Sequence, residues 1–284
     1  MKLAFSSLGC PEYTFEQMIA AAEQFGFQGV SIRTAEGTTD LLGLPDFSAR
    51  LPESRARLRD TGVELLCVST GVRFASELRQ EREDQLDEAR RYIDLALELS
   101  APFVRIFGGP VEPTPDYERT MNYVVEGFRS AADYAGPLGV EVLVETHDTF
   151  AKGSSTRDIL NRVGREAVGV IWDILHSLRN GESFRDTVAE LGTDVRNVHL
   201  KDSSDFDSRH FDVTLCGEGR VPIRDALMLL DASGYSGYYE FEWEKAWNPG
   251  IPPASVAFPH FVRYITDLRR SLDARDPYAS HPGK

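Results

Sequence analysis

Short apolar runs and longer amphipathic stretches alternate along the whole chain. Residues 3–7, 29–33, 63–69, 103–107, 140–145, 168–173, 195–200 and 238–242 are rich in β-branched and aromatic side chains. They are too short for helices and read as strands. Between and after them, residues 14–25, 49–60, 81–99, 116–138, 156–163, 183–191, 222–232 and 254–272 carry the helical spacing. In 81–99, for example, Leu86, Ala89, Ile93, Ala96 and Leu97 share one face. The punctuation agrees: Thr14 and Gln17 form a capping box, Gly26 and Gly62 stop helices, and Pro222 starts one. Gly136-Pro137 should bend the fourth helix. Residues 108–115 read as a Pro-rich loop and the stretch after 200 as a polar loop rich in Asp and Ser. Eight strands, each followed by a helix, predict one (β/α)8 barrel over residues 1–272, with a polar tail at 273–284.

A parallel barrel keeps its chemistry at the C-terminal ends of its strands, and four consecutive strands here end in ionisable residues. The fifth runs into Glu145-Thr146-His147, the sixth into Asp173-Ile174-Leu175-His176, the seventh into His199-Leu200-Lys201-Asp202, and the eighth into Glu242-Trp243-Glu244-Lys245. As a site, Glu145, Asp173, His199 and Glu242 offer three carboxylates and one imidazole. Such hard donors suit Mn²⁺ first, then Mg²⁺ or Co²⁺, with Zn²⁺ less natural in the absence of cysteine. A dication would also offset the cost of crowding three acids together.

Each residue has a plainer reading beside this one. Asp173 could serve only as a helix N-cap, and His147 as a loop histidine. Glu240 and Glu244 share strand parity with Glu242 and compete for its place. Lys201 stands out because the chain has five lysines against 26 arginines. It either aims at a substrate oxygen or pairs with Asp202 in solvent. His176 is placed to position substrate, and Arg33 and Arg105 either reach a substrate carboxylate or hydroxyl or serve as ion-pair partners. Trp243 and Trp247 could line a sugar pocket, while Trp172 reads as core.

The formal charge of −14 argues against a nucleic-acid surface. Three widely spaced cysteines without a Cys-x-x-Cys pair point to a reducing compartment, hence the cytoplasm. The first ten residues lack a signal-peptide pattern, and no apolar stretch approaches the ~20 residues of a membrane span. A homo-oligomer is left open.

The Glu145 strand end, Asp173-Ile174-Leu175-His176, His199-Leu200-Lys201-Asp202, Gly217-Glu218-Gly219 and Phe241-Glu242-Trp243-Glu244, in that order, resemble the xylose-isomerase-like TIM-barrel superfamily, in its sugar phosphate isomerase/epimerase branch. The resemblance implies one divalent metal held by Glu145, Asp173, His199 and Glu242. It further implies an isomerase or epimerase acting on a small carbohydrate by proton abstraction next to a carbonyl, through an enediolate stabilised by positive charge. Glu145 and Glu242 would be the acid–base pair, and His147, His176, Lys201, Arg33 and Arg105 would contact substrate. Ser31 departs from the pattern, since many members carry an acid there. The same chemistry can expel a β-hydroxyl, so a dehydratase or lyase acting on an inosose-like keto-polyol, a 3-keto sugar or a cyclic keto acid is the alternative. The superfamily's apurinic-site endonucleases need more zinc ligands and a basic face, and a barrel that binds without turnover should have lost a ligand.

Overall fold

The computed structural model describes residues 1–110 and 116–274. Eight parallel strands close into a barrel: β1 (Lys2–Ser6), β2 (Gly29–Ile32), β3 (Glu64–Arg73), β4 (Phe103–Phe107), β5 (Glu141–Glu145), β6 (Val168–Asp173), β7 (Val195–Leu200) and β10 (Tyr238–Phe241). The ring runs in sequence order and closes where β1 pairs with β10, Lys2 opposite Tyr238 and Phe5 opposite Phe241. The predicted barrel is therefore the observed fold. Around it lie α1 (Phe15–Phe25), α2 (Leu51–Thr61), α3 (Arg79–Leu99), α4 (Tyr117–Ala135), α5 (Gly153–Val163), α7 (Phe184–Leu191), α8 (Ile223–Ala232) and α9 (Ala254–Asp273). The Thr14–Gln17 capping box is present. The fourth helix does not bend at Gly136-Pro137; it stops at Ala135 and continues as a single 3-10 turn ended by Gly139. Residues 111–115 of the expected Pro-rich loop and 275–284 of the expected tail lie outside the described residues.

Strand parity explains why chemistry gathers at one end. Inward positions alternate along a strand, and in β6 they are Ile171 then Asp173; in β5, Leu143 then Glu145. In β10 and just beyond it they are Tyr238, Glu240, Glu242 and Glu244. The lower half is filled by Ala4, Leu66, Cys67, Leu143, Ile171 and Tyr238. The Tyr238 ring leaves no room for a side chain at Gly29, where an added Cβ would sit 2.9 Å from it. The upper half is lined by polar groups buried against that apolar plug: Glu145, Asp173, Asn197, His199, Lys201, Glu240 and Glu242 are each at most 5% exposed. The second apolar layer, between strands and helices, is the larger core, with Trp172 and Trp243 fully buried in it.

Three features depart from the sequence reading. The polar stretch after β7 is an antiparallel hairpin, β8 (Asp202–Phe206) and β9 (Phe211–Thr214). A six-residue helix, α6 (Ile174–Arg179), starts directly at Asp173. And β3 runs on past the expected end at 69 to Arg73, with its register to β4 shifting between Ser69 and Arg73.

Candidate active site

The four predicted ligands converge. One ligand atom from each of Glu145, Asp173, His199 and Glu242 lies within 4.8 Å of the others, and all four residues are buried. His199 Nδ1 is the centre: Glu242 Oε1 is 3.2 Å away, Glu145 Oε1 3.5 Å and Asp173 Oδ2 4.0 Å. Yet His199 Nδ1 and Glu145 Oε2 make no hydrogen bond among the described residues, and Asp173 Oδ2 meets only the Lys201 ammonium, at 2.8 Å. Buried polar atoms aimed at a common point without hydrogen bonds are the arrangement a cation would satisfy. The donor set of three carboxylates and one imidazole fits a hard divalent ion.

Asp173 caps a helix and still belongs to the cluster. Its Oδ1 caps α6, accepting from the amides of Leu175 (3.0 Å) and His176 (3.1 Å), which leaves Oδ2 for the cluster. The three carboxylates of one parity are sorted as well. Glu242 faces His199 Nδ1. Glu240, one step deeper, has its Oε2 3.7 Å from His199 Nε2 and accepts from Ser31 Oγ (2.7 Å) and Asn197 Nδ2 (2.5 Å). Glu244 meets Lys201. Glu240 thus faces the deeper ring nitrogen of His199 as a carboxylate beside it, without a hydrogen bond to it. Ser31, noted as a departure, is one of that carboxylate's donors.

Lys201 does not pair with Asp202. It is 1% exposed, and its Nζ reaches Asp173 Oδ2 at 2.8 Å, Glu242 Oε2 at 2.5 Å and Glu244 Oε1 at 2.6 Å. Asp202 turns away and accepts from the amides of Ser203, Gly217, Gly219 and Val221, holding the Gly217–Gly219 loop under the hairpin. A side chain on Gly219 would collide with that carboxylate. Arg105, also buried, has Nη1 3.3 Å from Glu145 Oε2 and stacks over Phe107.

These contacts set the charges. Burial alone would raise both catalytic candidates. For Glu145 it is outweighed by Arg105 and His199, and for Glu242 by His199 and Lys201, so Glu145 sits below and Glu242 well below the usual carboxylate range. Asp173 goes the other way: burial, opposed by Lys201 but aided by Glu242 and Glu145, lifts it to about 7. His199 is pushed well up against burial by Glu242, Glu240 and Glu145. His176, buried and facing Lys201 and His147, is held well below its ordinary value and is neutral at pH 7. His147 rises, since Asp148 at 3.1 Å and Glu145 overcome its burial.

A cavity of about 790 Å³ opens over the cluster, and Glu145, His147, His176, Lys201, Glu242, Arg33 and Arg105 all line it. Asp173 and His199 lie beneath it. Of the tryptophans only Trp247 is on the wall; Trp243 is not, because it stacks on Phe241 in the core and donates to the Pro252 carbonyl. Sequence reasoning missed Phe211, which packs edge-on to His176 and 5.7 Å from Lys201 Nζ, and Arg73, Arg179 and Arg209. Phe211 and Arg209 come from the unforeseen hairpin, Arg179 from the unforeseen helix, and Arg73 from the extension of β3. No spacing signal could have singled them out among 26 arginines.

A closed parallel barrel with an acid–imidazole cluster at its strand ends defines the class. The chain belongs to the Xylose isomerase-like TIM barrel family, whose sequence profile matches residues 19–259. Among curated relatives it is similar to a 2-oxo-tetronate isomerase of Pectobacterium atrosepticum, 26% identical over 171 residues, covering 56% of this chain and 63% of that protein. It thus spans just under two thirds of that relative's length. It is also similar to an inosose isomerase of Bacillus velezensis, 22% identical, covering 85% of this chain and 88% of that protein. The solved IOLI protein with a binding zinc atom shares the fold, with a TM-score of 0.82 at 20% identity over 95% of this chain and 99% of that one. No helix among the described residues is long and apolar enough to cross a membrane.

Proposed function

We propose that the protein is a divalent-metal-dependent isomerase or epimerase of a small keto sugar or keto-polyol. The observation that carries this reading is the buried set of four ligand atoms within 4.8 Å, at the C-terminal strand ends, with His199 Nδ1 and Glu145 Oε2 lacking hydrogen bonds. Glu145, Asp173, His199 and Glu242 would hold the ion, with Mn²⁺ favoured by the donors and Zn²⁺ open in view of the IOLI protein. When bound, the ion supplies positive charge against the negative charge that develops on oxygen as the neighbouring C–H bond ionises. Because ligands must be deprotonated, loading at neutral pH displaces protons from His199 and Asp173.

The chain's own groups do the rest. Glu145 and Glu242 extend from β5 and β10, which are separated in the ring by β6 and β7, so they face each other across the mouth. One carboxylate takes the proton from the carbon beside the carbonyl; the other returns one on the opposite face for epimerisation, or to the adjacent carbon for isomerisation. Arg105 and Lys201 keep the pair ionised and ready to act as bases. Neutral His176 can donate to or accept from a substrate hydroxyl, and Phe211 and Phe107 limit the water around the reacting carbons. Isomerase names among the relatives support this class, at identities that do not choose a substrate.

The test is metal content. The purified protein should hold one equivalent of a divalent ion after loading, and His199→Ala should lose it while circular dichroism shows the barrel still folded. Chelation should lower the Tm of the wild type and leave that of the variant unchanged, because the ion binds the folded state. Equal metal in both proteins would sink the ligand assignment.

A further inference from the structure

Three arginines stand on adjacent strands of one wall of the cavity. Arg33 follows β2, Arg73 ends β3 and Arg105 lies in β4, and all three line the mouth. Arg105 is engaged by Glu145. Arg33 and Arg73 make no ion pair among the described residues, although this chain pairs arginine after arginine with surface carboxylates. Arg33 is partly buried, and the contact recorded for its guanidinium is the Trp247 ring, 6.0 Å from centre to centroid. Burial and the like charges of Arg105 and Arg73 pull it down to about 10, against weaker support from Tyr92 and Glu88. Across the mouth Arg179 and Arg209 add two more guanidinium groups. Of the cavity's acids, Glu145, Glu242 and Glu244 are buried at its floor; Asp148, 3.1 Å from His147, is held down against its burial, first by that imidazole and then by Arg73 and Arg105, a single carboxylate against this set of guanidinium groups. In a chain of net charge −14, the outer half of this one cavity is therefore cationic.

Like charges that face one cavity cost free energy unless a counter-charge joins them. We propose that the substrate carries an anionic group, a carboxylate or a phosphate, at the end remote from its reacting carbonyl, and that Arg33 and Arg73 bind it. This deepens the isomerase reading and rests on it. The placement follows from the barrel: the reacting carbons must lie over Glu145 and Glu242, on β5 and β10, while Arg33 and Arg73 rise from β2 and β3. Guanidinium forks match the paired oxygens of either oxyanion. A neutral ketose would leave both unpaired. The cationic mouth would also draw an anion in against the protein's overall field.

The probes are inorganic phosphate, glycolate and glycerol, standing for phosphate, carboxylate and neutral polyol. Each is titrated into the Mn²⁺-loaded protein while tryptophan fluorescence is followed; Trp247 lies on the wall beside Arg33, whereas Trp172 and Trp243 are fully buried. Phosphate or glycolate should saturate the signal and glycerol should not, and the tighter of the two anions identifies the group. In Arg33→Met/Arg73→Met the anion's Kd should rise at least about tenfold, the loss expected for one charge-assisted hydrogen bond. Arg33→Lys/Arg73→Lys keeps the charges and should recover part of the affinity. It also supplies the comparison if the Met pair fails to fold, because weaker binding than wild type is expected there too. An unchanged Kd in the folded variant would place the anion on the metal ligands and overturn the proposal. So would no saturation by either anion at tens of millimolar. Metal stoichiometry separates the two claims: anion binding on these arginines without metal would sink the isomerase reading alone, and full metal with indifference to the arginines would sink the anion site alone.

Discussion

Glu145→Gln and Glu242→Gln should each keep a large part of the bound metal and lose at least about 10²-fold in turnover, the low end for removing a positioned acid or base. Glutamine retains an oxygen donor of the same reach but cannot take up the proton. Each native carboxylate has one oxygen toward His199 and the other toward a cation, Arg105 or Lys201, so both are held ionised despite full burial. That environment makes them weaker bases than free carboxylates. A divalent ion held by Glu145, Asp173, His199 and Glu242 would make up the shortfall on the substrate side by supplying positive charge that acidifies the carbon. The variants also report the reaction type. If the enzyme epimerises, each single variant still exchanges the substrate proton with solvent from the face whose acid remains. A dehydratase loses exchange only when the abstracting base is the one replaced. Near-normal turnover in both variants, with metal retained, would remove the two-carboxylate mechanism.

Replacing Lys201 with Met should destabilise the metal-free protein by roughly 3–5 kcal/mol near neutral pH, the cost of leaving buried charges without their partner. The ammonium is 1% exposed and in contact with Asp173, Glu242 and Glu244, and methionine preserves its length while removing the charge. The sign of the pH effect follows. Asp173 is already raised to about 7 with the lysine in place, and once its main opposing charge is gone it holds its proton still more tightly in the folded state than in the unfolded chain. The deficit is then full at high pH and shrinks as pH falls and that group takes up its proton. Added divalent metal should shrink it as well, by supplying the missing positive charge. Urea denaturation of both proteins across this pH range measures the difference. A Met variant as stable as wild type at neutral pH would mean that the three carboxylates are not charged together.

The barrel and the convergence of Glu145, Asp173, His199 and Glu242 were legible because both rest on short-range patterns. Parallel strands buried on two sides read as continuous apolar runs. The period of two then places Asp173 two residues above Ile171 and Glu145 two above Leu143, so a ligand-type residue ending an apolar run already carries its direction. That Glu242, rather than Glu240 or Glu244, joins the cluster follows in the same way from depth along one strand.

What the sequence concealed lies where no core face exists to impose a period. The hairpin β8–β9 lies at the mouth, and the Asp202-Ser203-Ser204-Asp205 run of its first strand shows no apolar alternation, so it passed for a loop. At six residues α6 is too short to show helical spacing. The partner of Lys201 was hidden because adjacency in sequence favoured Asp202. In a strand, however, that neighbour points to the opposite face, and the real partners arrive from β6 and β10. Ser31 looked like a missing acid, but its partner Glu240 is 209 positions away. Trp243, offered with Trp247 as a candidate for the pocket wall, is turned into the core by the same alternation.

The most direct measurement of the central claim is deuterium uptake from D2O by a panel of ketohexoses, inososes, keto acids and keto sugar phosphates, with the protein metal-loaded, chelated and as His199→Ala. Turnover of an accepted substrate by the loaded protein should place deuterium on the carbon beside the carbonyl. Chelation and His199→Ala should abolish turnover and exchange together, and restored metal should rescue only the wild type. Product formed without deuterium at that carbon, or exchange indifferent to chelation, would contradict metal-dependent proton transfer at Glu145, Asp173, His199 and Glu242.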